Sequence, residues 1–169
     1  MRAWGVCLSL AATVLLGGCS STVEGEAFPV DTIGMFDPCE VLSDGNLRDL
    51  GVDPSTQKVD VFNTHFPGFN HCSWEGQWFT LGLTSTKYSL QEVEDNPEFR
   101  DFQNIEVLER SLLMFKDDND ASDASCLVAF ATSRSTAMIS IDAYFRAERP
   151  EKPCELVEQA ARVVIPLVP

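Results

Sequence analysis

The chain has 169 residues, a formal net charge of −14, 44% hydrophobic residues and 22% charged residues, a balance that suits a folded domain and excludes wholesale disorder. With an N-terminal leader set aside, about 150 residues remain, enough for one domain that buries most of its apolar surface. A surface this acidic repels phosphate backbones and anionic headgroups, which argues against a nucleic-acid partner and against membrane binding through a basic patch.

Arg2 precedes an apolar stretch from Trp4 to Leu16 that is too short for a comfortable transmembrane helix. The stretch closes in Leu15-Leu16-Gly17-Gly18-Cys19, which resembles the lipobox of bacterial lipoproteins: a large aliphatic residue, two small residues, then the cysteine that takes the lipid. The expectation is a signal peptide over residues 1–18, lipidation (palmitate) at Cys19, and anchorage on the outer, extracytoplasmic face of the cell membrane. Residues 19–35 are polar and acidic, contain Gly25 and Pro29, and read as a flexible tether. Residues 36–169 read as a single domain.

The domain opens with a helix signal: Asp37 to cap, Pro38 at the first helical position and Glu40 three residues after the cap. Leu42, Leu47 and Leu50 supply its apolar side, Gly45 divides it into two short pieces, and Gly51 stops it. Strands are expected at 58–63, 71–75, 77–85, 103–109, 111–116, 125–132 and 135–145. The alternation is clearest where Phe79, Leu81 and Leu83 face away from Trp78, Thr80 and Thr84, and where Ala137, Ile139, Ile141, Ala143 and Phe145 share a face. Gly76, the acidic run from Asp117 to Asp123 and Ser133-Arg134-Ser135 mark hairpin turns. Ser89 to Asn96 reads as a short helix, and Pro153 opens a last helix that runs to about Ile165 with Cys154, Val157, Ala161 and Val164 on its buried stripe. The fold class is α+β: a meandering antiparallel β-sheet with the N-terminal and C-terminal helices packed on one face.

Cys39, Cys72, Cys126 and Cys154 remain in the domain once Cys7 and Cys19 are assigned to the leader and the lipid site. An even number in an oxidising compartment favours two disulfides, and the residues alone allow three pairings. Phe36-Asp37-Pro38-Cys39, Leu50-Gly51, Cys72-Ser73-Trp74, Cys126-Leu127-Val128 and Pro153-Cys154-Glu155 with Ala160 and Ala161 resemble the domain of unknown function 3558 of actinobacterial (mycobacterial and nocardial) envelope lipoproteins. The resemblance spans nearly the whole mature chain. It implies a fold akin to the PsbP-like proteins of the photosystem oxygen-evolving complex and to the extracellular sensor domain of a mycobacterial serine/threonine kinase. By analogy with that sensor domain it implies Cys39 with Cys72 and Cys126 with Cys154, while Cys39 with Cys154 stays open because both begin helices. No activity comes with it.

Chemistry is sparse. The two histidines, His65 and His71, lie outside any zinc-binding spacing, no G-x-S-x-G elbow occurs, and the Asp117 to Asp123 run lacks the glycine and closing glutamate of an EF-hand loop. No catalytic residue, metal or cofactor is expected. The stretch from Phe62 to Phe79 is dense in aromatics, and its Phe66-Pro67-Gly68-Phe69 turn either packs against the domain, the first expectation, or meets a ligand or partner. Phe66, Phe69 and Trp78 are the candidate binding residues. The functional expectation is a non-enzymatic, lipid-anchored module that binds a small molecule, a glycolipid or an envelope protein through one face of its sheet. The alternative is a structural or accessory subunit that docks to a membrane complex without a small ligand. A hydrolase needs a catalytic constellation that the residue pattern does not supply, and clustered carboxylates in a cleft would reopen that reading.

Overall fold

A computed structural model describes residues 32–61, 64–120 and 122–169. The expected leader, Cys19, most of the tether and Phe62 lie outside the described residues. The first helix, α1 (Pro38–Val41), starts as the sequence implies: the Asp37 side chain accepts a hydrogen bond from the Cys39 N–H at 2.8 Å, and Pro38 fits the N-terminal turn. The break before α2 (Asp44–Asp49) falls at Ser43 and not at Gly45, because Ser43 and Asn46 cap one another's backbone and restart the helix there. Leu42, Leu47 and Leu50 are all buried.

Seven antiparallel strands follow: β1 (Lys58–Val59), β2 (Phe69–Glu75), β3 (Phe79–Thr86), β4 (Phe99–Val107), β5 (Arg110–Asp117), β6 (Ser125–Ala131) and β7 (Thr136–Ala143). β1 is shorter than expected, since Asp60 enters the left-handed region at φ 61° and ends the ladder. β4 starts four residues earlier than expected and carries a register shift between Arg100 and Gln103, with Asp101 at φ 57°. Phe145, expected to share the buried face of β7, lies beyond the strand end and is exposed.

The strand order is β1-β2-β3-β7-β6-β5-β4, so the sheet is two meanders joined edge to edge where β3 pairs with β7. The join needs a crossing segment from the middle of the sheet to its far edge, which a simple meander does not contain. That segment carries α3 (Leu90–Glu94), held by a Ser89/Glu92 capping box. Helices α1, α2 and α4 (Pro153–Val164) cover one face, here the inner face, and bury Trp74, Leu81, Leu83, Val128, Phe130, Ile139 and Ile141 beneath them. Helix α3 lies on the opposite, outer face, where Val93 joins Leu113, Phe115, Ala129 and Met138 in a second, smaller core. The terminal helices therefore share one face, as expected, and the middle helix takes the other.

Two cysteine pairs stand at disulfide distance and brace the inner face. Cys39 at the start of α1 meets Cys72 on β2 with Cα atoms 5.2 Å apart, and Cys126 on β6 meets Cys154 at the start of α4 at 5.1 Å. These are the pairs that the family resemblance implied. Among the described residues no helix is long and apolar enough to cross a membrane.

Candidate functional site

The part of the outer face that α3 leaves uncovered forms a cleft. Side chains alternate along each strand, so the register sets the floor in rows. Glu75, Thr80 and Asp142 make one row, Lys58, Ser73, Gly82 and Ser140 the next, and His71, Thr84 and Met138 a third. Gly82 sits in the middle. A Cβ at that position would come within 2.5 Å of Ser140 Oγ and 3.1 Å of His71 Cε1, so the absent side chain is what lets the serine and the imidazole converge over one point of the floor. The resulting polar cleft has a volume of about 1030 Å³ and reaches from Lys58 and Glu75 to Asp117 and Asp142.

Beyond His71 the cleft turns apolar. Val61, Phe66, Phe69 and Met138 line an adjoining hollow of about 270 Å³, and Phe69, Tyr88, Val93 and Phe99 line a further one of about 500 Å³ against the α3 segment. Phe66 is placed by a tight turn in which the Phe69 N–H donates to the Phe66 carbonyl, with Pro67 and Gly68 between them and Gly68 at φ 83°. Proline followed by a positive-φ glycine is the residue pattern of a type II turn. The turn is fastened to the end of β3, because the Thr86 hydroxyl and the Lys87 N–H both donate to the Gly68 carbonyl. Phe69 packs against Tyr88 with ring centroids 5.3 Å apart. Phe66 does not pack down: it is 48% exposed, and Val61 and Tyr88 are exposed with it around the cleft mouth.

The polar floor is acidic. Lys58 is bonded to Glu75, and His65 Nδ1 lies 3.7 Å from Asp60. Burial holds His71 below its ordinary value, against the pull of Asp60, so the imidazole is neutral at pH 7; its Nδ1 is 2.8 Å from the Thr84 hydroxyl. Partial desolvation on the cleft floor raises the Asp142 carboxyl from its ordinary value, although the residue keeps an open surface to solvent. Asp117 and Asp120 push it in the same direction, and only the Ser140 hydroxyl, donating to Oδ2 at 2.9 Å, opposes. The acidic turn between β5 and β6 is satisfied differently. Asp120 accepts from the Ser122 and Ser125 N–H groups, while Asp123 is met by Lys116 at 2.8 Å and held below the ordinary range by it. Among the described residues no group of three or more His, Cys, Asp or Glu side chains could hold a metal ion.

Residues 14–167 match the model of a family described as a protein of unknown function, DUF3558. The chain belongs to that family. No curated protein and no solved structure matches it. The match takes in both cysteine pairs and every strand that forms the cleft, so in this DUF3558 chain the braced inner face and the open outer face fall within the family region.

Of the aromatic residues singled out in the sequence, the structure brings Phe66 and Phe69 together at the apolar end of the cleft. Trp78 is elsewhere. It precedes β3, stacks edge-on against Phe79 at 4.9 Å and packs against the inner core. The floor residues Gly82, Ser140 and Asp142 were not singled out at all. Each reads as an ordinary solvent-face position in an alternating strand. The available signal was Gly82 itself, since a glycine inside a strand of good alternation marks close approach by something else.

Proposed function

We propose that this chain is a non-enzymatic, lipid-anchored binding module of the cell envelope that takes a small amphipathic ligand on the outer face of its sheet. The observation that carries the reading is the cleft itself. A polar floor at Ser73, Gly82, Ser140 and Asp142 runs into an apolar hollow at Phe66, Phe69 and Met138, while helices and cysteine pairs close the other face. Concave sites with an apolar wall and a few convergent polar groups are where proteins bind small molecules. The clustered carboxylates, Asp142 raised among them, keep a carboxylate-based hydrolase as a second reading, while a serine-based one has no support in the geometry. Ser140 donates to a carboxylate and His71 is turned to Thr84, so the floor offers no serine activated by an imidazole.

Position comes from the leader. Cleavage before Cys19 and lipidation of that cysteine would hold the domain on the outer face of an actinobacterial membrane, with residues 19–35 as the tether. We read the sheet with helices at both chain ends as the PsbP-like, kinase-sensor type of fold, whose members bind or scaffold. The test is to purify the lipidated protein from its own membrane beside a Phe66→Ser/Phe69→Ser variant and analyse co-purifying small molecules by mass spectrometry. A species enriched with the wild-type chain and lost with the variant supports the reading. Equal small-molecule content in both, with a protein partner lost from the variant, favours an accessory subunit that docks without a small ligand. Palmitate labelling that survives Cys19→Ala would overturn the anchor.

A further inference from the structure

We infer that the end of the sheet at which the chain enters the domain is a membrane-contact surface, setting a row of apolar side chains into the headgroup region of the bilayer that Cys19 would anchor it to. The inference rests on the anchored reading above and adds how the domain stands on the membrane.

Three observations lead to it. The first is segregation. The register gathers at one end of the sheet the start of β2, the end of β3, the β6–β7 turn and the β4–β5 turn. Among the described residues eight large apolar side chains are exposed, and six of them, Ile33, Val61, Phe66, Tyr88, Leu108 and Leu167, belong to segments at this end. Val61 and Phe66 precede β2, Tyr88 follows β3, and Leu108 lies in the β4–β5 turn. Ile33 and Leu167 are drawn in beside the β6–β7 turn: a Cβ on Gly34 would lie 3.7 Å from the Arg134 guanidinium, and the Ser133 N–H donates to the Pro169 carbonyl. Of the other two, Val59 is on the edge strand, and Phe145 follows β7 at the opposite end with the Arg146 guanidinium over its ring. Single exposed apolar residues are normal on any surface, and their gathering at one end is what marks a contact.

The second is charge. The turns at this end carry Lys87, Arg110 and Arg134 against Asp60 and Glu109. The densest acid is at the other end, where Asp117, Asp118, Asp120 and Asp123 occupy the turn after β5 and Asp142 stands near the end of β7. Strands of eight residues, such as β3 and β7, separate the two ends by about 25 Å, well beyond the screening length of about 8 Å at physiological salt. The net charge of −14 therefore does not keep this end from a headgroup surface. The contact is apolar, with the three cations beside it and no basic patch required.

The third is the path of the chain. The stretch from Cys19 to Thr32 reaches at most about 45 Å, and it joins the domain at this end. There the Phe36 carbonyl accepts from Asn70 Nδ2 at 3.4 Å and Ser85 Oγ at 2.8 Å, beside the start of β2 and the end of β3. The shortest path from the anchor thus leads to the apolar end. A protein partner or a second copy packs best on one continuous patch, whereas these side chains stand on separate turns across the width of the sheet, an arrangement that a fluid lipid surface accepts. Val61 and Phe66 also line the apolar hollow, so the hollow opens toward the bilayer.

The experiment reconstitutes the full lipidated chain in phosphatidylcholine vesicles, with and without bromine on the acyl chains. It reads the fluorescence that Phe66→Trp, Leu108→Trp or Phe145→Trp adds to that of the parent chain. Brominated lipid should quench the Phe66→Trp and Leu108→Trp signals at least about two-fold, as befits side chains set about 5–10 Å into the headgroup boundary, and leave Phe145→Trp unchanged. Adding Leu108→Ser/Leu167→Ser to Phe66→Trp should weaken its quenching, and undiminished quenching would overturn the shared surface. Flotation with the vesicles but no quenching at positions 66 and 108 overturns the contact and leaves the anchor standing. Loss of flotation removes the anchored reading and the inference with it. Equal quenching of Phe145→Trp overturns the orientation. A Phe66→Trp signal shielded from acrylamide in water yet untouched by bromine overturns the lipid assignment and gives this end to a protein partner or a second copy.

Discussion

Replacing Gly82 by alanine tests the floor of the cleft at its narrowest point. In an ordinary strand the change stabilises, because alanine has less freedom to lose on folding, by about 0.5–1 kcal/mol. Here the new methyl group would stand 2.5 Å from Ser140 Oγ and 3.1 Å from His71 Cε1. The serine can escape by rotating, but rotation gives up its hydrogen bond to Asp142 at 2.9 Å. A hydrogen bond to a charged group is worth about 1.5–3 kcal/mol, and the open surface of Asp142 puts this one at the lower end. Moving the imidazole off its rotamer adds about 0.5–1.5 kcal/mol. The net expectation is a loss of about 1–2 kcal/mol in urea denaturation. Removing the hydroxyl as well should relieve it, since Ser140 Cβ would be 3.7 Å from the new methyl, an ordinary contact. Gly82→Ala in the Ser140→Ala background should therefore cost at least about 1 kcal/mol less than in the wild-type chain, well outside the additivity of independent sites. A cycle in which the two substitutions simply add would refute the steric account of the floor.

Removing the bridge between β6 and α4 with Cys126→Ala/Cys154→Ala frees a loop with a sequence separation of 28, and should cost about 3–4 kcal/mol in the same assay. At the β4–β5 turn, Leu108 and Glu109 both occupy the left-handed region at φ 51° and 62°, so Leu108→Asn/Glu109→Gly should raise stability by about 1–2 kcal/mol; an unchanged denaturation midpoint would show that the turn holds no strain. Burial of neutral His71 makes its protonation harder in the folded than in the unfolded state, so its contribution is intact above about pH 6.5 and is lost as pH falls below that. The wild-type chain should lose thermal stability relative to His71→Gln between pH 7.5 and pH 5. Asp142 has the opposite sign: its raised carboxyl favours the protonated folded state, and that contribution disappears as pH rises through the folded value. Asp142→Asn should accordingly melt higher than the wild type at pH 7.5, with the gap closing toward pH 4.

Local pattern carried much of this fold because the strands are half-buried. Phe79, Leu81 and Leu83 alternate with polar neighbours and point to the inner core, and the Leu156, Val157, Ala160, Ala161 and Val164 stripe of α4 covers the β6 and β7 part of that core. What stayed hidden was long-range or conformational. Nothing in residues 87–98 says that the chain crosses to the far edge before returning, because strand order depends on which hairpins meet and not on either hairpin's own alternation. The Leu108-Glu109 turn lacks the Asn-Gly signature of its class, so the residue pattern runs β4 on to residue 109, two residues beyond its end at Val107. The cleft was half legible. Phe66 and Phe69 attract notice as aromatics in a turn, but Ser140, Asp142 and Gly82 gain meaning only when β3 and β7 are side by side.

The two margins of the sheet bear on how copies of the chain behave when they meet. One margin is β1, only two residues long, and the other is β4, nine residues long but kinked by its register shift at Arg100 and carrying Asp101 and Glu106. A long straight margin is a template on which a neighbouring chain can add its own strand, and kinks, charge and brevity are the means by which proteins deny that template. Here brevity denies the first margin, and a kink with charge denies the second. Two copies of the chain thus gain little from joining these margins.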